Sequence, residues 1–201
     1  QTPVLDAFVA GHLSVRAAFE WAYRRLVDEQ RRAFRLLSWH PGPAITSVVI
    51  AAVADVSPGQ GRQLLRELVD HNLLDQAPAA GAPGGPRYRM HDLVRLYARE
   101  RADAEEPAAE RAAAVARLAS SYLAITRAAD RLLRPYVSGD PGKSTAGAAV
   151  LAFADASQAR IWLTVERTNL LRCVQAMSPT ADAADLSIGL AAHFRHFGFW
   201  Y

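Results

Sequence analysis

The segment "SPGQGRQLLRELVDHNLLDQAPAAGAPGGPRYRMHDLVRLYARE", residues 57–100, narrows what this chain can fold into more than any other stretch. Ser57 stands as a helix N-cap, Pro58 takes the first helical position, and Gln60 completes a capping box. Leu64, Leu65, Leu68 and Val69 then recur at helical spacing and predict the inner face of that helix. "NLLDQ" (72–76) and "PRYRM" (86–90) read as two short strands around "APAAGAPGG", a Gly/Pro/Ala stretch that cannot pack and predicts a hairpin tip. From there Leu93, Leu96 and Tyr97 return to helical spacing. Asp92 is expected to cap this last helix, where a carboxylate meets free N–H groups and the positive end of the dipole. His91 has no such obvious local use, and an imidazole titrating near neutrality at that corner asks for a reason.

Upstream, residues 12–26 carry Leu13, Ala17, Phe19, Trp21, Tyr23 and Leu26, compatible with one helix. "DEQRRAFRLLSWH" predicts a second, with Phe34, Leu36 and Leu37 inward and Arg31, Arg32 and Arg35 outward. "PGP" at 41–43 stops it, and "ITSVVIAAVAD" is a short helix apolar enough to be buried. Helix, helix, helix, two-stranded wing, closing helix: this order describes a winged helix over about residues 25–103. Further on, Val115, Leu118, Tyr122, Ile125, Ala129 and Leu132 form one apolar stripe between 109 and 133. After the linker "PYVSGDPGKSTAG", Asp155 with Gln158 can cap a helix through "ARIWLTVERTNLLRCVQAM", and Leu186, Leu190, Phe194 and Phe197 mark a last one. The expected fold is mainly α, a winged helix followed by an antiparallel helical array of tetratricopeptide type. Its apolar edge, and a start without methionine, suggest a segment of something larger.

Arginine supplies nearly all of the 23 basic residues, the one lysine being Lys143, and the net charge is only +3. The 20 acids are spread among the arginines, so no basic tail or stripe announces nucleic acid. The single cysteine, Cys173, excludes an internal disulfide, fits a reducing cytoplasm and is most simply a core residue. No apolar run reaches the ~20 residues that span a bilayer, so no membrane partner is expected.

"GDPGKST" (139–145) imitates the end of a phosphate-binding loop, but the position five before Gly142 is Val137, and a helix rather than a strand precedes it. Lys143 is therefore read as a linker lysine. His193 and His196 lie three apart on a helix, yet no third ligand stands nearby and no metal site is assigned. No nucleophile–base arrangement is defensible, and no catalytic residue is assigned. The third helix exposes Arg62, Gln63 and Arg66, and Arg87 and Arg89 lie on the wing, so contacts to DNA phosphate stay open as an alternative. Glu67 and Asp70 on the same helix oppose them.

"YRMHDLVRLYARE" also resembles the motif, here Met90, His91 and Asp92, that closes the winged helix of signal-transduction ATPases with numerous domains. That superfamily includes the NB-ARC proteins, among them plant disease-resistance receptors and apoptotic protease-activating factor. "VRAAFEWAYRRLVDEQRRAFRLLSWHPG" (15–42) is similar to the junction between their helical ARC element and the winged helix, and "LLRELVDHNLL" (64–74) to the third helix leading into the wing. "ARIWLTVERTNLL" (159–171) resembles the entry to tetratricopeptide repeats in actinobacterial regulators of the Streptomyces antibiotic regulatory protein type. The resemblance is specific to about residue 103 and weaker beyond; the linker matches nothing. It divides the chain into the end of an ARC element (1–24), a winged helix (25–103), a connecting helix (104–134), a flexible linker (135–156) and a helical region entering the repeats (157–201).

The resemblance implies a role for His91: contact with the β-phosphate of ADP on an upstream nucleotide-binding domain, locking the inactive arrangement. Met90 and Asp92 would support it, Asp92 by capping the helix and holding the ring. ADP or ATP, with Mg, would be bound mainly by that domain and not by this chain alone, which is not itself an enzyme. Implied partners are the intramolecular nucleotide domain, and other proteins or further copies of the chain through the helical region. DNA would be met through another domain of a cytoplasmic regulator. The alternatives are a DNA-binding winged helix in its own right and a helical protein-interaction scaffold.

Overall fold

The computed structural model describes residues 16–77, 83–133 and 151–176. Helix α1 runs to residue 25 from residue 16, where the described residues begin. Then come α2 (Asp28–Leu37), α3 (Ser47–Ala54), α4 (Pro58–Asp70), β1 (Asp75–Ala77), β2 (Arg87–Arg89), α5 (Asp92–Glu105), α6 (Ala108–Leu133) and α7 (Ala156–Ala176). This is the expected mainly helical fold with one small two-stranded sheet.

Helix α3 sits at the centre, packed against α2, α4 and α6. Contact on three sides explains why residues Val48 to Ala54 are all buried. Thr46 caps its start, accepting from the Val49 N–H at 3.4 Å. Helix α4 approaches it at Gly61, where a Cβ would stand 3.0 Å from Ile50 Cγ2 and 3.1 Å from the Ser47 carbonyl oxygen. Helix α2 turns Ala33, Phe34, Leu36 and Leu37 inward as its spacing predicts. Arg35 departs from the outward reading: its side chain is only 12% exposed and pairs with Glu105 at 2.8 Å and Glu106 at 2.6 Å. The acidic end of α5 lies against α2 and draws the guanidinium in.

The wing begins later than the apolar run suggests. Asn72 takes left-handed backbone (φ 57°), and the Leu73 N–H donates to the Leu68 carbonyl at 2.9 Å, closing α4. Leu73 and Leu74 are thereby folded into the core, and β1 starts at Asp75. β1 pairs antiparallel with β2 in the register Asp75↔Arg89, Gln76↔Tyr88, Ala77↔Arg87. Ile45 adds a third, single-residue rung, exchanging two 2.8 Å hydrogen bonds with Tyr88.

Helix α5 buries Val94, Tyr97, Ala98 and Ala102. Of the residues whose helical spacing marks this helix, Leu93 and Leu96 are 39% and 58% exposed while Tyr97 is buried. The face turned to α2 lies one residue further round than the leucines suggest. Helix α6 buries Leu118, Tyr122, Ile125 and Ala129 of its predicted stripe, while Leu132 is exposed. Because α6 packs on both α3 and α7, it is a structural layer and more than a connector. Leu151 and Phe153, inside the expected linker, pack against the core, and the Asp155 carboxylate accepts from the Gln158 N–H at 2.8 Å to open α7. Leu13, Lys143 with its phosphate-loop-like stretch, His193, His196 and the apolar stripe from Leu186 to Phe197 lie outside the described residues.

Candidate functional site at the His91 corner

The corner is assembled by the strand-to-helix junction between β2 and α5. Met90 points inward and is 1% exposed, anchoring the chain as it leaves the wing. His91 follows with extended backbone (φ −60°, ψ 146°) and is the N-cap of α5. Its Nδ1 accepts the Leu93 N–H at 3.3 Å, and its carbonyl accepts the Arg95 N–H at 2.8 Å. This corrects the expectation that Asp92 caps the helix. Asp92 is the first residue of α5, exposed, and contributes its charge in the first turn. Only a residue with extended backbone can fold its side chain back onto the free N–H groups, and His91 holds that place.

The cap has a chemical consequence. With Nδ1 accepting from the Leu93 N–H, Nε2 is the ring nitrogen left to donate. The residue is exposed, with Leu93 and Leu96 exposed on the following turn. His91 thus offers a ring N–H donor at a helix N-terminus, beside an apolar surface. Such a donor, backed by the positive end of a helix dipole, suits an anionic oxygen.

The wing arginines separate. Arg89 is exposed, as are Arg62 and Arg66 on α4. Arg87 is not available for phosphate: its side chain is 8% exposed and bonds Glu166 of α7, itself 2% exposed, at 2.5 Å. Glu166 also accepts from Asn169 at 2.7 Å and from the Tyr122 hydroxyl at 3.3 Å. Burial and the neighbouring Glu166 charge hold the Tyr122 phenol well above its ordinary value, so it acts only as a donor. The expectation that Arg87 touches nucleic-acid backbone is overturned by this network. The signal was present in the sequence, since Glu166 falls at inner-face spacing with Leu163, Leu170 and Cys173. An acid in that row requires a partner.

A second feature was missed in the sequence. Beneath the corner, the loop "HPGP" at 40–43 is gripped by α5 and α7. Arg95 donates to the carbonyls of His40 at 2.6 Å and Gly42 at 3.3 Å, and Arg99 donates to the Ser38 carbonyl at 3.0 Å. The buried His40 donates from Nε2 to the Ala44 carbonyl at 3.0 Å, and burial pulls its pKa down to about 4. The i,i+4 pair Arg95 and Arg99 on one helix was the available clue.

Among the described residues no cluster of three or more His, Cys, Asp or Glu could hold a metal, and no helix is long and apolar enough to cross a membrane. Cys173 is buried and its thiol is pushed up to about 12 by desolvation, the behaviour of a core residue rather than a nucleophile.

Comparison with known proteins agrees with the geometry. Residues 29–103 match the family described as the winged helix-turn-helix domain. The chain is 41% identical over 181 residues to the regulatory protein AfsR of Streptomyces coelicolor, an alignment covering 88% of this chain and 18% of that protein. It is 39% identical over 194 residues to the regulatory protein AfsR of Streptomyces griseus, covering 90% and 18% respectively. The chain therefore spans less than a fifth of the length of these curated relatives. No solved structure matches it.

Proposed function

We propose that this chain is the nucleotide-state-sensing, autoinhibitory part of a transcriptional regulator built like the signal-transduction ATPases, with His91 donating to a phosphate oxygen of ADP on a separate nucleotide-binding domain. The observation that carries this reading is the cap: the Leu93 N–H occupies Nδ1 and leaves Nε2 of an exposed ring to donate. Exposed Leu93 and Leu96 supply an apolar surface on which the neighbouring domain can close around that contact. The nucleotide, with Mg, would be held mainly by that domain, and this chain supplies no catalytic group. His91 contacts a phosphate whose position changes on exchange for ATP, so its affinity differs between the two states, as a switch requires. The winged helix and the helices after it are then released, freeing surfaces such as the exposed Ile161, Val165 and Leu171 of α7 for protein partners, self-assembly or continuation into tetratricopeptide repeats. DNA would be met by another domain of the parent, in the cytoplasm. The AfsR relatives, described as regulatory proteins, support this reading.

The test separates cap from contact in the full-length protein. His91→Asn retains a good N-cap but lacks the outer ring nitrogen, whereas His91→Ala removes both. Both variants are expected to lose ADP faster than the parent, and only His91→Ala to melt a few degrees lower. ADP retention unchanged in both variants refutes the contact.

A second reading, direct DNA binding, is favoured by the exposed Arg62 and Arg66 on α4 and Arg89 on the wing. It is opposed by the burial of Arg87. A salt-dependent gel shift that disappears in Arg62→Ala/Arg66→Ala would select it over the first.

A further inference from the structure

Behind the corner, where the wing, the first turns of α5, the 40–43 loop and α7 meet, lies an open cleft of ≈ 440 Å³. Four guanidinium groups line it, those of Arg89, Arg95, Arg99 and Arg172, with the carboxylate of Asp92 and the buried imidazole of His40. His40, with a pKa near 4, adds no charge at neutral pH. Four cations thus face one anion. Arg95 and Arg99 spend hydrogen bonds on backbone carbonyls, which satisfy donors without cancelling charge. Both are partly desolvated; Asp92 attracts Arg95, while at Arg99 the charges of Arg111 and then Arg95 repel and that of Asp103 attracts. Arg89 and Arg172 are exposed and take part in no ion pair among the described residues.

We infer that this cleft is an oxyanion site for a phosphate group, free or esterified, separate from the His91 contact. A monoanionic carboxylate would leave most of the excess charge uncompensated, whereas a phosphate dianion offsets more of it and offers several oxygens to guanidinium forks. Arg95 and Arg99 are fixed by the loop carbonyls and form the floor. Arg89, from the wing, and Arg172, from α7, close on the ligand from two separate elements. A bound phosphate therefore ties the wing to the helical region. His91 is not among the lining residues, so the site does not depend on the function proposed above.

The test uses the 201-residue chain and calorimetric titration with inorganic phosphate at constant ionic strength, chloride serving as reference. Arg89→Gln/Arg172→Gln removes two exposed cations and leaves the loop clamps intact. Arg62→Gln/Arg66→Gln is the control with the same change in charge. Saturable phosphate binding is expected, weakened at least about tenfold in the cleft variant, since each charge-assisted bond contributes about a factor of ten or more. It should be unchanged in the control. O-phosphoserine titrated in parallel tells an esterified source from the free ion by which binds tighter. Phosphate behaving like chloride, or equal weakening in cleft and control variants, overturns the site.

Discussion

His40 sits at the hub of a loop that α5 and α7 hold. Its ring donates to Ala44, its carbonyl receives Arg95, and the Asn169 amide completes the turn by donating to the Ala44 carbonyl at 2.8 Å and accepting its N–H at 3.2 Å. Gly42 lies so close that a Cβ there would stand 2.2 Å from Asn169 Oδ1, which reserves the position for glycine without any need for positive φ. The imidazole is wholly buried, and desolvation lowers its pKa from 6.5 to about 4, with the nearby Arg95 charge acting the same way and the Ala44 bond opposing. The sign follows from proton counting: between pH 6.5 and 4 the unfolded chain binds a proton at this residue that the folded chain refuses. Its contribution to stability is full above pH 6.5 and falls as pH drops through that window, by about 3 kcal/mol in all, flattening below 4. Urea denaturation of the parent and of His40→Gln from pH 7.5 to 4 should show a steeper acid loss in the parent. Parallel curves would show that His40 titrates normally. At this scale the sequence is least readable. "PGP" announces a helix stop, but Arg95 is 55 residues from His40 and Asn169 is 125 from Ala44, so no local pattern links them.

Elements are legible where their signals are local. Ser57 and Gln60 are three residues apart, and the structure contains the reciprocal cap they predict: the Gln60 N–H donates to Ser57 Oγ at 3.3 Å and the Ser57 N–H to Gln60 Oε1 at 3.0 Å. Replacing Ser57 with alanine is expected to cost about 1 kcal/mol, read as a lower urea midpoint with unchanged slope. A changed slope, or no loss, would mean that α3 and not the cap fixes the start of α4. The same reasoning fails one helix later for a definable reason. His91 and Asp92 can both accept from free N–H groups, and what decides is which residue is extended, a property set by the wing that precedes it. Helix α5 also carries apolar residues on two faces, Val94 and Ala98 beside Leu93 and Leu96, so periodicity admits either as the inner one. The pattern leaves two surfaces, and packing against α2 chooses between them.

At the scale of the whole molecule, the wing and the helical region are joined through buried charge. Arg87 reaches from β2 to Glu166 on α7, with Tyr122 of α6 and Asn169 donating to the same carboxylate. Any motion linked to nucleotide state would have to carry wing and α7 together or break this pair. Breaking it is costly. Two desolvated charges in contact gain little over a well-packed apolar pair, but either one left alone is strongly unfavourable. Arg87→Met and Glu166→Leu should each cost about 3–5 kcal/mol, because each strands its partner. The double variant should cost clearly less than the sum, since it strands neither. Urea unfolding of the four proteins gives the coupling directly. If the two losses simply add, Arg87 and Glu166 are not sensing each other, and the winged helix and α7 must be held by the Asn169–Ala44 hydrogen bonds and the apolar contacts around Trp162 and Leu163.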